Sequence, residues 1–262
     1  MRWQPKQYDS FSSERAQPIS DLLKEIPHNN FQHIYDLGCG TGAAINPLKE
    51  RWPDAKIIGV DSDKAMLATA QKNHPDVSFE QGDILSWVEK TKANSDTLAT
   101  DTLVFSNAAL HWLDDHHMLF PKLLKLATNG GCLAVQMPNN WQEPSHVEML
   151  KLAKTEPYTR ALQSLIRERP VLNEEEYQTI LAPITTQLNI WSTSYNHNLS
   201  GEDPVINWLK GSSLKYYLDG LNSDHQTSFL AKLSERLDKA YVPDNDGNTC
   251  FKFIRLFVVA QG

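Results

Sequence analysis

The chain has 262 residues, 40% of them hydrophobic, and a formal net charge of −7. That is enough for one α/β domain with a full core and inserted helices, and too little for two large independent domains. The acidic balance excludes the extended positive field that nucleic-acid phosphates require, and no apolar run reaches membrane-spanning length. Cys39, Cys132 and Cys250 are widely spaced without a CxxC, which argues against a disulfide framework or a zinc site. With no basic-then-apolar start, the expected compartment is a reducing cytoplasm.

Residues 1–15 are richer in aromatic and polar side chains than a core helix requires, and are expected to form a lid. Pro18 to Ile26 places Ile19, Leu22, Leu23 and Ile26 on one face and predicts a core helix ended by Pro27. Strand-like runs follow at His33–Asp36, Lys56–Asp61, Ser78–Asp83, Thr102–Asn107 and Cys132–Met137, alternating with helix-like runs. This alternation predicts a doubly wound, mostly parallel sheet. The polar stretch between Val88 and Asp101 reads as a long surface loop. Residues 139–183 and 203–241 read as helical insertions, with strand material at Leu188–His197 and Cys250–Ala260 bringing the sheet to seven strands. Ligands of such sheets lie beyond the carboxyl ends of the strands, so the insertions are expected to cap the site within a single domain, 1–262.

Between the first strand and the following helix-like run lies Asp36-Leu-Gly38-Cys-Gly40-Thr-Gly42. Gly38 and Gly40 permit a sharp turn and close approach of a ligand, and Gly42 is expected to open a helix whose free N–H groups attract an anion. Asp61 and Asp83 end the next two strands, giving three acidic strand ends around one crevice. The loop also satisfies the degenerate dinucleotide pattern, with Asp61 placed to hold a ribose. A carboxylate at position 36 repels a pyrophosphate, however, by several kcal/mol at ~4 Å and an effective dielectric near 20. S-adenosylmethionine reverses that sign. It offers an ammonium to Asp36, a carboxylate to the helix end, a ribose diol to Asp61 and an adenine amino group to Asp83. A nicotinamide-dependent oxidoreductase is disfavoured on this ground.

Five segments carry a family resemblance. They are Trp3-x-Pro5-x-x-Tyr8-x-x-Phe11-x-x-Glu14-Arg15, the loop Asp36 to Gly42, Gly59-Val-Asp61-Ser62 with Ala65-Met66, Ser106-Asn107-Ala-Ala-Leu-His-Trp112, and Ala134-Val-Gln-Met-Pro138-Asn-Asn-Trp141-x-Glu-Pro-x-His146. With these the chain resembles the class I S-adenosylmethionine-dependent methyltransferases, and nearly end to end it is similar to the trans-aconitate methyltransferases. The resemblance implies a Rossmann-like fold and S-adenosylmethionine as cofactor, leaving as S-adenosylhomocysteine. The cofactor-binding set so implied is Asp36, Gly38, Gly40, Gly42 and Asp61, together with Ser62, Met66, Asp83, Ile84 and Asn107.

The reaction implied is methyl transfer to a carboxylate of a small polycarboxylic acid, trans-aconitate first among them. Such an acceptor is already ionised at neutral pH, so no general base is required. Its charges must be met by Arg, Lys, His⁺ and hydroxyl donors. Arg255 shares an apolar strand face with Phe251, Phe253, Phe257 and Val259, and needs an anion there, either a substrate carboxylate or a salt-bridge partner. Tyr195 and His197 share a face of the preceding strand with Trp191 and Thr193, and Tyr8 and Arg15 lie in the lid motif. Trp141 and His146 complete the substrate candidates, with Trp112 and Trp208 as further pocket walls. Two departures stand out, Ser192 and Lys215, where the family pattern carries arginines. They leave room for a malonyl group on acyl carrier protein as the substrate, the only reading with a protein partner; a non-catalytic cofactor-binding module is a further alternative. No metal site is expected, His116 and His117 reading as surface residues of a helix first turn capped by Asp115, with His111 nearby.

Overall fold

The computed structural model describes residues 12–27, 30–93, 100–127 and 130–262. Its strands are β1 (His33–Leu37), β2 (Lys56–Asp61), β3 (Ser78–Gln81), β4 (Thr102–Asn107), β5 (Cys132–Pro138), β6 (Gln187–Leu199) and β7 (Thr249–Gln261). They form one seven-stranded sheet in the order β3-β2-β1-β4-β5-β7-β6. Strands β1 to β5 pair in parallel, whereas β7 runs antiparallel to both β5 and β6. The direction of winding reverses between β1 and β4, which opens a crevice at their carboxyl ends. Asp36 and Asn107 stand at those ends.

The near-continuous apolar runs of β4 and β5 are buried on both faces, as central parallel strands require. On one face α4 (Ile84–Ala93), α5 (His116–Leu126) and α8 (Glu174–Leu181) pack over Leu133, Val135, Leu256 and Val258. On the other, α1 (Ser12–Glu25) and α2 (Ile45–Arg51) cover Ile34, Phe105, Ala134 and Phe257. Phe257 also stacks on Trp191 with ring centroids 4.7 Å apart, a contact worth ~1 kcal/mol beyond its buried area. Helix α3 (Lys64–Asn73) follows β2, its first turn capped by the Asp63 carboxylate.

A third core lies beyond the sheet. It joins α6 (Pro144–Ala153), α7 (Thr159–Leu162), α9 (Pro204–Lys210), α10 (Ser213–Leu218) and α11 (Ser223–Ala240) to Phe251 and Phe253 of β7. Of the first insertion, α8 packs on the sheet face instead, with Tyr177 and Leu181 buried.

Three boundaries differ from expectation. Strand β3 ends at Gln81, two residues short, so Asp83 lies in the link before α4 and does not close a strand. Within the described residues helix α1 spans Ser12–Glu25, and Pro18 sits inside it. A proline there removes one backbone donor, and burial of Ile19, Leu22, Leu23 and Ile26 outweighs that loss. The expected loop after Val88 is helical through Ala93, because Ile84, Trp87 and Val88 anchor α4 to the core. The remainder of that stretch, 94–99, lies outside the described residues.

Candidate active site

The glycine loop is held by the neighbouring strand. The N–H groups of Gly38 and Cys39 both donate to the Val60 carbonyl, at 2.8 and 3.1 Å. Gly38 has φ +74°, and a Cβ on it would lie 2.2 Å from the Cβ of Ala109, so only glycine lets the loop cross the segment after β4. Gly40 has φ +54° with open space around its Cβ position, and its N–H donates to Asp61 Oδ2 at 2.9 Å. Gly42 corrects the expectation made for it. Its N–H donates to the Cys39 carbonyl and α2 starts only at Ile45, so that N–H is consumed by the turn.

Asp36 is buried, its Oδ2 has no hydrogen-bond partner, and burial followed by the charge of Asp61 pushes its carboxyl up to about 7. Asp61 accepts from the N–H of Gly40 and, at 2.8 Å, from that of Asp63; burial raises its pKa. Asp83 lies beyond β3 and accepts from Ser86 N–H at 2.9 Å; its hydrogen bonds from Ser86 lower its pKa. Together with Gly38, Ser62, Met66 and Ile84, Asp61 and Asp83 line a cavity of about 400 Å³. Ala108, Trp112 and Tyr216 complete its far wall. At the strand ends beside it, Asn107 Oδ1 is a second buried acceptor without a partner. Two unpaired acceptors on adjacent strands call for a hydrogen-bond donor between them.

A second cavity, of about 60 Å³, adjoins the first through Ala108 and Trp112. Its walls include Asn107, His111, Trp208, Ser212 and Arg255. Arg255 is 4% exposed, donates to Gln136 Oε1 at 3.2 Å and lies 5.0 Å from the Phe253 ring centre. Ala108, at the junction, has φ +55°, a left-handed conformation uncommon for alanine, and its N–H donates to the Gln136 carbonyl at 2.8 Å. Acceptors therefore gather around β1 and β4, and donors around β5 and β7.

Other expected residues lie elsewhere. The Tyr195 hydroxyl donates to Asp21 of α1 at 2.9 Å, which occupies it structurally. Lys215 pairs with Asp219 one turn along α10 at 2.8 Å, and the walls of neither cavity include it. Trp141 lines a separate groove of about 660 Å³ that also contains Ser192, Glu174 and Glu175. His146 is buried against Ser145 Oγ at 3.1 Å and packs edge-on to Trp141, burial lowering its pKa to about 4. His197 stacks on Trp208 at 4.4 Å, one ring behind the second cavity. Arg15 belongs to α1, but its side chain, like all of Tyr8, lies outside the described residues. Ser192 stands opposite Leu256 in the β6–β7 ladder, whereas Thr193 stands opposite Arg255. The departure at Ser192 is thus on the far face of the sheet from the Arg255 cavity.

His111 and Gln136 lie inside the recognised segments but carry no spacing that marks them as ligands. His116 is also corrected: it is buried, with Nδ1 2.5 Å from the Tyr177 hydroxyl and Nε2 3.0 Å from the Leu110 carbonyl. Asp115 does cap that helix. Among the described residues no cluster of three or more His, Cys, Asp or Glu side chains is arranged to hold a metal.

A mostly parallel, doubly wound sheet with a glycine loop at its crevice has the fold of the class I methyltransferases, and the methyltransferase domain model matches residues 34–131. The chain is 39% identical over 260 residues to the trans-aconitate 2-methyltransferase of Acidovorax ebreus (strain TPSY), covering 99% of this chain and 98% of that relative. Identity and coverage are the same for the trans-aconitate 2-methyltransferase of Yersinia pseudotuberculosis serotype O:1b (strain IP 31758). The fold is shared with the YcgJ protein of Bacillus subtilis, at a TM-score of 0.55 and 15% identity over 94% of this chain and 99% of that one. The chain belongs to the trans-aconitate 2-methyltransferase family. Its cofactor is S-adenosylmethionine, which leaves as S-adenosylhomocysteine. The residues present fit that group: the ammonium it carries is what the buried, unpaired Asp36 oxygen lacks.

Proposed function

We propose that this chain transfers the methyl group of S-adenosylmethionine to a carboxylate of trans-aconitate, giving a monomethyl ester. The observation that carries the reading is the buried guanidinium of Arg255 in a cavity that meets the glycine-loop cavity at Ala108 and Trp112. The bound cofactor supplies an electrophilic methyl group on a sulfonium. Asp36 and Asn107 would hold its ammonium end, Asp61 its ribose, and Asp83 with Ile84 its adenine. Arg255 would fork onto a substrate carboxylate, Gln136 steadying it from below.

No residue needs to remove a proton, since the acceptor is ionised at neutral pH. What the chain contributes is position and dryness. Holding an oxygen in line with the methyl group supplies an effective molarity of ~10⁵ M or more, and the rings of Trp112, Trp208 and Phe253, which line the second cavity, would limit water around a bound acid. We read the substrate as a free small acid in a reducing cytoplasm, consistent with three free cysteines, one of them exposed. No helix among the described residues is long and apolar enough to cross a membrane.

The test is incubation with methyl-labelled S-adenosylmethionine and a panel of carboxylates, scored for base-labile methyl esters. Label is expected in trans-aconitate, with tricarboxylates ahead of monocarboxylates. Absence of ester from trans-aconitate overturns the assignment.

A further inference from the structure

Three buried histidines surround the segment after β4, and two of them are satisfied. His116 bonds Tyr177 and the Leu110 carbonyl through its two ring nitrogens, and His146 bonds Ser145. His111 differs. It is 7% exposed, its Nδ1 is buried without a hydrogen-bond partner, and it forms part of the wall of the Arg255 cavity. A histidine retained only for packing is usually bonded as its two neighbours are, because an unpaired buried nitrogen is costly.

The position of the ring is imposed from behind. Arg167 Nη1 donates to the His111 carbonyl at 2.7 Å and Nη2 to the Leu113 carbonyl at 2.8 Å, while Asp114 holds the guanidinium. The 3₁₀ turn Leu110–Trp112 is thereby fixed, and the imidazole rests against the Trp112 ring at 4.7 Å. Its charge state is imposed as well. Burial comes first, then the positive charges of Arg167 and Arg255, with His116 and His146 nearby, and all of them keep the ring neutral. A neutral imidazole carries one N–H. On β5, Gln136 gives its oxygen to Arg255 and leaves Nε2 as another buried donor without a partner.

We infer that His111 is a substrate-binding residue, a ring N–H donor that holds a carboxylate of the acid alongside Arg255. This rests on the carboxylate-methylation reading above. The acid cavity then recognises its ligand by one fixed cation plus neutral donors, and a polycarboxylate is bound without assembling several buried charges. A general-base role does not suit this ring, since the acceptor is already ionised and the surroundings oppose protonation.

The experiment begins with the wild-type enzyme and trans-aconitate. If no ester forms, the functional reading fails, independently of His111. If ester forms, His111→Leu is expected to raise KM for trans-aconitate about tenfold or more, with affinity for S-adenosylhomocysteine within about twofold of wild type. His111→Asn, which keeps an N–H donor near the same place, should recover part of the loss. In the wild-type protein, ¹⁵N-histidine spectra should show a neutral imidazole whose signals move when trans-aconitate is added in the presence of S-adenosylhomocysteine, the His111→Asn spectrum providing the assignment. An unchanged KM in His111→Leu, or His111 signals that saturating trans-aconitate leaves unmoved, overturns the inference. The spectroscopic arm decides it even if the leucine variant does not fold.

Discussion

The Gly40 N–H donates to Asp61 Oδ2 at 2.9 Å, tying the glycine loop after β1 to the carboxyl end of β2. Asp61 also accepts from the Asp63 N–H at 2.8 Å, so one carboxylate shapes both lips of the cofactor cavity. Asp61→Ala removes these bonds together with the proposed ribose contact. Charge-assisted interactions of this kind contribute roughly 1.5 to 3 kcal/mol, so calorimetric affinity for S-adenosylhomocysteine should fall about tenfold to a hundredfold in a folded protein. Unchanged affinity would remove Asp61 from the site.

Gly38→Ala tests the crossing of the loop over Ala109. The new Cβ would lie 2.2 Å from that of Ala109, in a backbone at φ +74°. Overpacking and left-handed strain each cost on the order of 1 to 3 kcal/mol. A fall in stability of at least about 2 kcal/mol in denaturant titration is expected, with loss of S-adenosylhomocysteine binding.

Asp36 makes cofactor binding depend on pH. Its carboxyl is raised from 3.8 to about 7 in the folded protein without ligand. The folded chain then holds this proton more tightly than the unfolded chain, so its contribution to stability falls as pH rises from about 4 to about 7. Binding an ammonium needs the ionised form and works in the opposite direction: affinity should climb with pH up to about 7 and level off above it. Calorimetry from pH 5.5 to 8.5, ~3 pH units, should show proton release on the low side. Asp36→Asn should weaken binding and flatten the profile.

The glycine loop, the ends of β1 and β2 and the doubly wound order were legible because they rest on local requirements; Asp83, expected to end β3, lies two residues beyond it. Glycine at Gly38 and Gly40 reflects positive φ, and the buried runs of β4 and β5 reflect two covered faces. Arg255 was legible as an anomaly by alternation, a guanidinium among aromatic neighbours. What the sequence could not reveal depends on contacts distant along the chain. Tyr195 is claimed by Asp21, 174 residues away, and His116 by Tyr177, 61 away. That the face of β6 opposite Ser192 is the one shared with Arg255 follows only from the β6–β7 register, which sets Thr193 against Arg255. Pro18 looked like a helix start, since proline favours first turns, yet tertiary burial of the residues after it holds the helix through it.

The His116–Tyr177 pair provides a structural control. Tyr177→Phe leaves His116 Nδ1 buried without its partner, which should cost about 1 to 3 kcal/mol of unfolding free energy. KM for trans-aconitate should not change, because neither residue is part of the wall of the acid cavity.

The central claim is that the acid is held by Arg255 in a cavity joined to the cofactor cavity but distinct from it. Its most direct test is Arg255→Met, with KM for trans-aconitate and affinity for S-adenosylhomocysteine measured on the same preparation. A clamp on a carboxylate remote from the reacting one is felt in ground and transition states alike, so KM should rise about tenfold or more while kcat falls less and cofactor affinity stays within about twofold. Arg255→Lys should recover only part of the loss. Unaltered trans-aconitate kinetics, or loss of S-adenosylhomocysteine binding together with the fold, would contradict the account and make Arg255 a structural partner of Gln136.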